Sequence, residues 1–155
     1  MGDKTVVTNR RARREYFTEE TYEAGLVLTG SEIKSVRAGR ANLQDSYVTI
    51  RDGEAWLLNS HIAPYKQASD QNYVPKRERK LLLHRRQIDR LAGQVQAKGY
   101  TIIPLRLYLK NKRAKVEIAL AKGKKLYDKR DDLAKRQAQR DIERALRRRR
   151  DEVVR

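Results

Sequence analysis

The chain contains no cysteine, which excludes disulfides and thiolate metal sites, and its two histidines, His61 and His84, leave little material for a zinc site. Long apolar runs are missing too. None approaches the roughly 20 residues that a membrane-spanning helix requires, and residues 1–14 lack the apolar stretch of a secretory signal. Binding to an anionic membrane surface would call for a lipidation signal or a basic helix backed by a strongly apolar face, and neither is evident. The expectation is a cytoplasmic protein without a membrane partner. Catalytic signatures are equally thin. There is no glycine-rich phosphate cradle and no serine in a nucleophile elbow. His84 stands beside Arg85 and Arg86, with no carboxylate in sequence reach to make it a general base. Asp128, Asp131 and Asp132 are interleaved with Lys129 and Arg130, which reads as paired surface charge rather than a magnesium site. The sequence predicts no enzyme, no metal and no cofactor.

What the chain has in excess is positive charge: 37 Lys/Arg against 20 Asp/Glu give a formal +17 in 155 residues. A field of that strength concentrates polyanions, and nucleic acid is the partner it favours. The excess is spread over two parts that meet near the run Gly123 to Arg130. Residues 1–121 carry 23 Lys/Arg against 13 Asp/Glu, net +10, and residues 122–155 carry 14 against 7, net +7. The first part is patterned as a folded β-barrel domain whose charge suits a nucleic-acid partner. The second is a basic tail in which Leu133, Ala134, Ala138, Ile142, Ala145 and Leu146 recur near helical period. So thin an apolar stripe does not offset the entropy of ordering by itself, so the tail is expected to be disordered alone and helical on a partner.

Within the first part, residues 5–14 are polar and basic and read as a mobile arm or a strand lead-in. Residues 16–28 read as two short strands around an acidic turn at Glu19 and Glu20, with Gly25 at a bulge or a close backbone approach. Ser31 is the expected N-cap, and Gly39 the stop, of a short helix. Asp52 and Gly53 between residues 46–51 and 55–59 are the signature of a tight hairpin turn, whose central positions need positive φ. Residues 64–79 lack apolar periodicity and predict a long exposed loop. A strand over 80–83 precedes a helix over 85–98 ended by Gly99. Strands over 100–109 and 114–121 form a second hairpin, with Pro104 marking an edge or a bulge. The resulting fold class is mainly β with helices: a small, closed or nearly closed barrel like an OB-fold, with two or three flanking helices and a basic C-terminal tail.

The runs Asn9, Arg10, Arg11, Ala12; Tyr22, Glu23, Ala24, Gly25; Glu32 to Gly39; Asn42, Leu43, Asp45, Ser46, Tyr47; and Arg79 to His84 resemble, in order and spacing, signatures of the bacterial SsrA-binding protein family, also called small protein B. The run Gly123, Lys124, Lys125 followed by Asp128, Lys129, Arg130 is similar to that family's tail signature. What the resemblance implies is an RNA-binding adaptor that carries transfer-messenger RNA to stalled ribosomes in trans-translation, with no catalysis. It implies an oligonucleotide-binding barrel that grips the tRNA-like domain as a monomer in a one-to-one complex. The tail is implied to enter the ribosome's decoding centre and message channel, and elongation factor Tu is a further candidate partner. By motif match Asn9, Arg10, Arg11, Glu23, Lys34, Lys80, Leu82 and His84 fall in the tmRNA-binding region. Gly123, Lys124, Lys125, Tyr127, Asp128, Lys129 and Arg130 fall in the ribosome-binding tail, with Gly123 as a hinge. Many family members carry His where this chain has Tyr127, whose ring can still stack on a base. Two alternatives stay open at single residues: Glu23 as an outward carboxylate paired with an arginine, and Leu82 as core instead of an exposed platform. The alternative for the whole chain is a basic ribosome-associated RNA-binding or RNA-chaperone protein.

Overall fold

The computed structural model describes residues 3–66, 72–123 and 136–148, and the chain divides into two compact units, Met1–Lys122 and Gly123–Arg155. Among the described residues up to Gly123 nine strands and three helices follow in the order β1 (Lys4–Thr8), α1 (Arg10–Glu15), β2 (Tyr16–Leu26), α2 (Gly30–Arg37), β3 (Ala41–Asn42), β4 (Tyr47–Arg51), β5 (Glu54–Leu58), β6 (His61–Ile62), β7 (Arg79–Leu82), α3 (Arg85–Lys98), β8 (Thr101–Lys110) and β9 (Arg113–Gly123). The main sheet runs β1-β8-β4-β5-β7-β2-β9, and a further β8–β9 pairing closes it into a ring, as expected for a small barrel.

Alternation along the strands fills the barrel. In β9 Ala114, Val116, Ile118 and Leu120 join Leu57, Leu81, Leu91 and Ile102 in the main core, while Ala119 and Ala121 face a second cluster with Ile103, Leu105 and Ala12. The parity of β8 changes midway: Ile102 lies in the main core, and so does Leu107 five residues on. A register shift between Pro104 and Arg106 supplies the extra residue. Proline has no N–H to give to the ladder, so the bulge falls where a ladder bond is already lost. The shift leaves Arg106, Tyr108 and Lys110 on the face opposite the main core, where Tyr108 and Lys110 meet Glu23 of β2.

The hairpin turns match their chemistry. Asp52 and Gly53 have φ of 53° and 74°, and Asn111 and Lys112 of 52° and 66°, so both central positions of each turn are left-handed. The helix α3 ends at Gly99 with φ 65°, as the sequence predicts.

Four expectations are corrected. Of the two readings of residues 5–14 the strand lead-in holds, as β1, and what it missed is the short helix α1, capped by Asn9, whose Oδ1 accepts from the Ala12 N–H at 3.2 Å. Residues 16–26 form one continuous strand: Glu19 accepts from the Tyr100 hydroxyl at 2.7 Å, and Glu20 binds Tyr22 and Arg90, so these carboxylates brace a strand instead of making a turn. The N-cap of α2 is Thr29, two positions before Ser31, in a capping box with Glu32. Arg79, placed at the end of an exposed loop, is fully buried in β7. Its guanidinium binds Glu32 at 2.7 Å and the carbonyls of Ser60 and Pro75 at 2.8 and 2.9 Å. With Arg77 on the second Glu32 oxygen at 2.6 Å, this cluster ties α2 to β7 and to the segment before it.

In the second unit residues 136–148 form a helix, α4, all of whose residues are exposed.

Candidate nucleic-acid interface

The outward face of the barrel is built from paired strands whose register fixes which side chains are neighbours. Gly25 of β2 lies opposite Leu82 of β7, and Lys80 of β7 lies opposite Trp56 of β5. Side chains at i and i+2 share a face, so Glu23, Gly25, Leu82, Lys80 and Trp56 form one continuous strip. Gly25 has a local reason to be glycine: a Cβ there would come within 3.2 Å of the Leu82 Cβ. Leu82 is 55 % exposed, which excludes the core alternative and leaves an apolar side chain presented to solvent.

Glu23 is held by groups that β8 brings to it. It accepts a short hydrogen bond from the Tyr108 hydroxyl, and Lys110 Nζ stands 3.5 Å away. The Tyr108 bond and the Lys110 charge hold the Glu23 carboxyl below its ordinary value. Burial, then Glu23 itself, push the Tyr108 phenol up. The Arg106 guanidinium lies 4.0 Å from the centroid of the Tyr108 ring. The alternative of an arginine partner for Glu23 is therefore replaced by a tyrosine and a lysine. Lys80 Nζ pairs with Glu54 at 3.0 Å, both side chains partly exposed, so the pair is cheap to exchange for a phosphate. His84 is exposed and precedes α3, its backbone N–H donating to the Gln87 Oε1 at 3.0 Å.

The structure thus brings Glu23, Lys80 and Leu82 together on two neighbouring strands, with His84 two positions beyond β7 at the N-cap of α3. It places the others on separate elements. Asn9 is 7 % exposed and committed internally, its Nδ2 donating to the Leu43 and Pro104 carbonyls at 3.3 and 3.0 Å. Arg10 and Arg11 stand exposed on α1, Arg11 paired with Glu15 at 2.8 Å and Asp45 at 3.2 Å. Lys34 is exposed on α2, 5.5 Å from the centroid of the Tyr65 ring. Gly123 closes β9 without positive φ, and a Cβ at that position would meet no other described atom within 4 Å. Lys124, Lys125, Tyr127, Asp128, Lys129 and Arg130 lie outside the described residues.

Three residues of this face were not anticipated. Trp56, the chain's one tryptophan, is half-buried beside Lys80, with the Arg51 guanidinium 5.2 Å from its ring centroid. Its outward position was readable from the hairpin alternation, since Ala55 and Leu57 face inward. Tyr108 and Lys110 were hidden by the bulge, which inverts the parity of β8 after Pro104. Among the described residues no group of three or more His, Cys, Asp or Glu side chains is arranged to hold a metal.

Comparison with known proteins agrees with this picture. The family described as SmpB protein matches residues 6–148. A protein named SsrA-binding protein from Roseiflexus sp. (strain RS-1) is 66 % identical over 148 residues, covering 95 % of this chain and 94 % of its own. Another of that name, from Geobacillus thermodenitrificans, is 57 % identical over 146 residues, with 94 % of each chain covered. A solved chain from work on tmRNA–SmpB and the centre of the bacterial ribosome is 48 % identical. It matches with a TM-score of 0.64, covering 76 % of this chain and 83 % of that one.

Proposed function

This chain belongs to the SmpB protein family, and on that premise we propose how its parts divide the work of an adaptor for transfer-messenger RNA. The protein binds the tRNA-like domain of that RNA and delivers it to stalled ribosomes for trans-translation. The observation that carries this reading to particular atoms is the strip Glu23, Leu82, Lys80 and Trp56, in which a carboxylate, an exposed apolar side chain, a cation and an indole lie side by side. Cations supply affinity through phosphates, a ring stacks on an unpaired base, and a carboxylate accepts from base amino groups or a 2′-hydroxyl.

In this reading the barrel, residues 1–121, holds the tRNA-like domain through the strip and through Arg10, Arg11 and Lys34. The basic tail, residues 122–155, addresses the decoding centre and message channel through Lys124, Lys125, Tyr127, Asp128, Lys129 and Arg130, with Gly123 as the joint. The protein performs no chemical step. A cytoplasmic location follows from the ribosome as the place of work, and among the described residues no helix is long and apolar enough to cross a membrane.

A competition assay tests the reading against a general basic RNA binder. Labelled tRNA-like domain bound to the full chain is challenged with bulk tRNA and ribosomal RNA at matched salt, because the electrostatic part of affinity is salt-dependent. The adaptor retains its RNA; displacement at comparable competitor concentration contradicts it.

A further inference from the structure

A cavity of about 320 Å³ opens where α1 leans on the outside of the barrel, between α1, the start of β2, the turn before β4 and the start of β8. Buried Ala12 and Ile103 line it together with Tyr16 and Tyr47, the latter 42 % exposed. Its charged lining is Arg11, Glu15 and Asp45, one cation against two carboxylates. This leaves a local excess of carboxylate acceptors in a body of net +10, a lining that favours hydrogen-bond donors. Two small apolar patches at Ala12 and Ile103, two phenol rings and carboxylate acceptors, set among the polar Asn9, Ser46 and Thr101, together match the flat ring and donor edge of a nucleobase.

Asp45 narrows the choice. It takes the left-handed conformation, φ 62°, which aspartate tolerates, and its Oδ1 meets Arg11 Nη1 at 3.2 Å. The side chain is otherwise 71 % exposed, so a second oxygen is available for a ligand. Guanine presents two adjacent donors, N1–H and the 2-amino group, to a carboxylate. Adenine offers an acceptor at N1, where the carboxylate would repel it. The sugar and phosphate of such a nucleotide would lie outside, near the exposed Arg10 and Arg14 of α1.

We propose that this cavity seats one unstacked guanine of the RNA partner, stacked on Tyr47 and read on its N1–H and 2-amino edge by Asp45. The proposal rests on the RNA-binding reading above and adds a base-specific site apart from the strip on β2 and β7. The test uses the full chain and adenosine strands of about ten nucleotides, a length that an oligonucleotide-binding groove can hold. One strand carries a single central guanosine and the other an inosine, which lacks the 2-amino group. Binding of the tRNA-like domain is measured in parallel. The wild type should prefer the guanosine strand by about tenfold, the scale of one good base contact. Asp45→Asn, which keeps the left-handed backbone accessible, and Tyr47→Leu should each remove the preference while the tRNA-like domain still binds. Equal affinity of the wild type for the two strands, or a preference that survives in both variants, overturns the proposal and leaves the adaptor reading standing. Loss of all binding to the tRNA-like domain by the wild type overturns both.

Discussion

The barrel and the helix α4 are both basic, but they hold their charges in different ways. In the barrel, charge is used inside: Arg79 is fully buried, Glu32 is 1 % exposed, and their contacts lock α2 onto the sheet. In α4, Arg136, Arg140, Arg144 and Arg148 recur at every fourth position. Ala138, Ile142 and Leu146 recur at the same spacing, two positions out of step. Two positions are about 200° around a helix, so arginines and apolar side chains lie on opposite faces. Ile142 is 55 % and Leu146 51 % exposed. An isolated helix whose described residues are all exposed gains nothing from packing and is marginal in water. The barrel is thus ordered from within, whereas α4 carries two ridges suited to an outside surface.

That contrast is most exposed to challenge at the buried cluster. Glu32→Gln leaves Arg79 without its counter-charge inside the fold, and the full chain should lose about 3–5 kcal/mol in denaturant unfolding. A change below about 1 kcal/mol, the scale of an exposed pair, would mean that the cluster is no keystone. The second prediction concerns the strip. Glu23→Ala combined with Leu82→Ala should weaken binding of the tRNA-like domain about tenfold, or about 1.4 kcal/mol, while a cooperative melt persists. A melt lowered to room temperature would instead place these side chains in the barrel's architecture.

Acid provides the third. The Arg90 and Tyr22 hydrogen bonds hold the Glu20 carboxyl down to about 2 from its ordinary 4.5. Burial would raise the Glu32 carboxyl, yet Arg77, the Thr29 N–H and Arg79 keep it below its ordinary value. A carboxylate whose folded pKa is depressed contributes stability above its unfolded pKa and loses it as pH falls through the folded value. The melting temperature should therefore hold down to pH 4.5 and fall from there toward about 2, with a shallower fall in Arg90→Met. A profile flat to pH 2 would show that these pairs contribute nothing. The smallest effect on stability is expected in α4: Ile142→Ser with Leu146→Ser should leave the barrel's unfolding within about 0.5 kcal/mol of wild type, yet reduce peptide tagging on stalled ribosomes.

Much of the barrel was legible because its signals are local. Asp52–Gly53 states a hairpin by itself, Gly99 states a helix end, and Pro104 states an edge or a bulge, of which the bulge is found. Thr29 was equally legible, since Thr-x-x-Glu is a capping box, and Ser31 was the weaker reading of the same turn. The misses share a different cause. Glu19 and Glu20 look like a turn until Tyr100 and Arg90, some 81 and 70 residues away, arrive to bind them. Arg79 looks exposed until Glu32, 47 residues earlier, is placed beside it. The helix α1 has one buried apolar residue, Ala12, and so no period to read, although Asn9 as a cap and the Arg11–Glu15 spacing were visible hints. For the interface, family motifs pointed to Glu23, Lys80, Leu82 and His84, and strand register is what brings them together. The motif that included Asn9 marked a residue whose side chain is used to fix α1.

If the barrel grips the RNA and the tail addresses the ribosome, the two tasks separate in one truncated chain, ended after Gly123 so that β9 is whole. Two quantities are measured on it: affinity for the tRNA-like domain across a salt series, and peptide tagging on stalled ribosomes. The expected result is a folded protein that keeps its RNA with a shallower salt dependence, because fewer cations take part, and that no longer supports tagging. Full tagging by the truncated chain would contradict the division of labour.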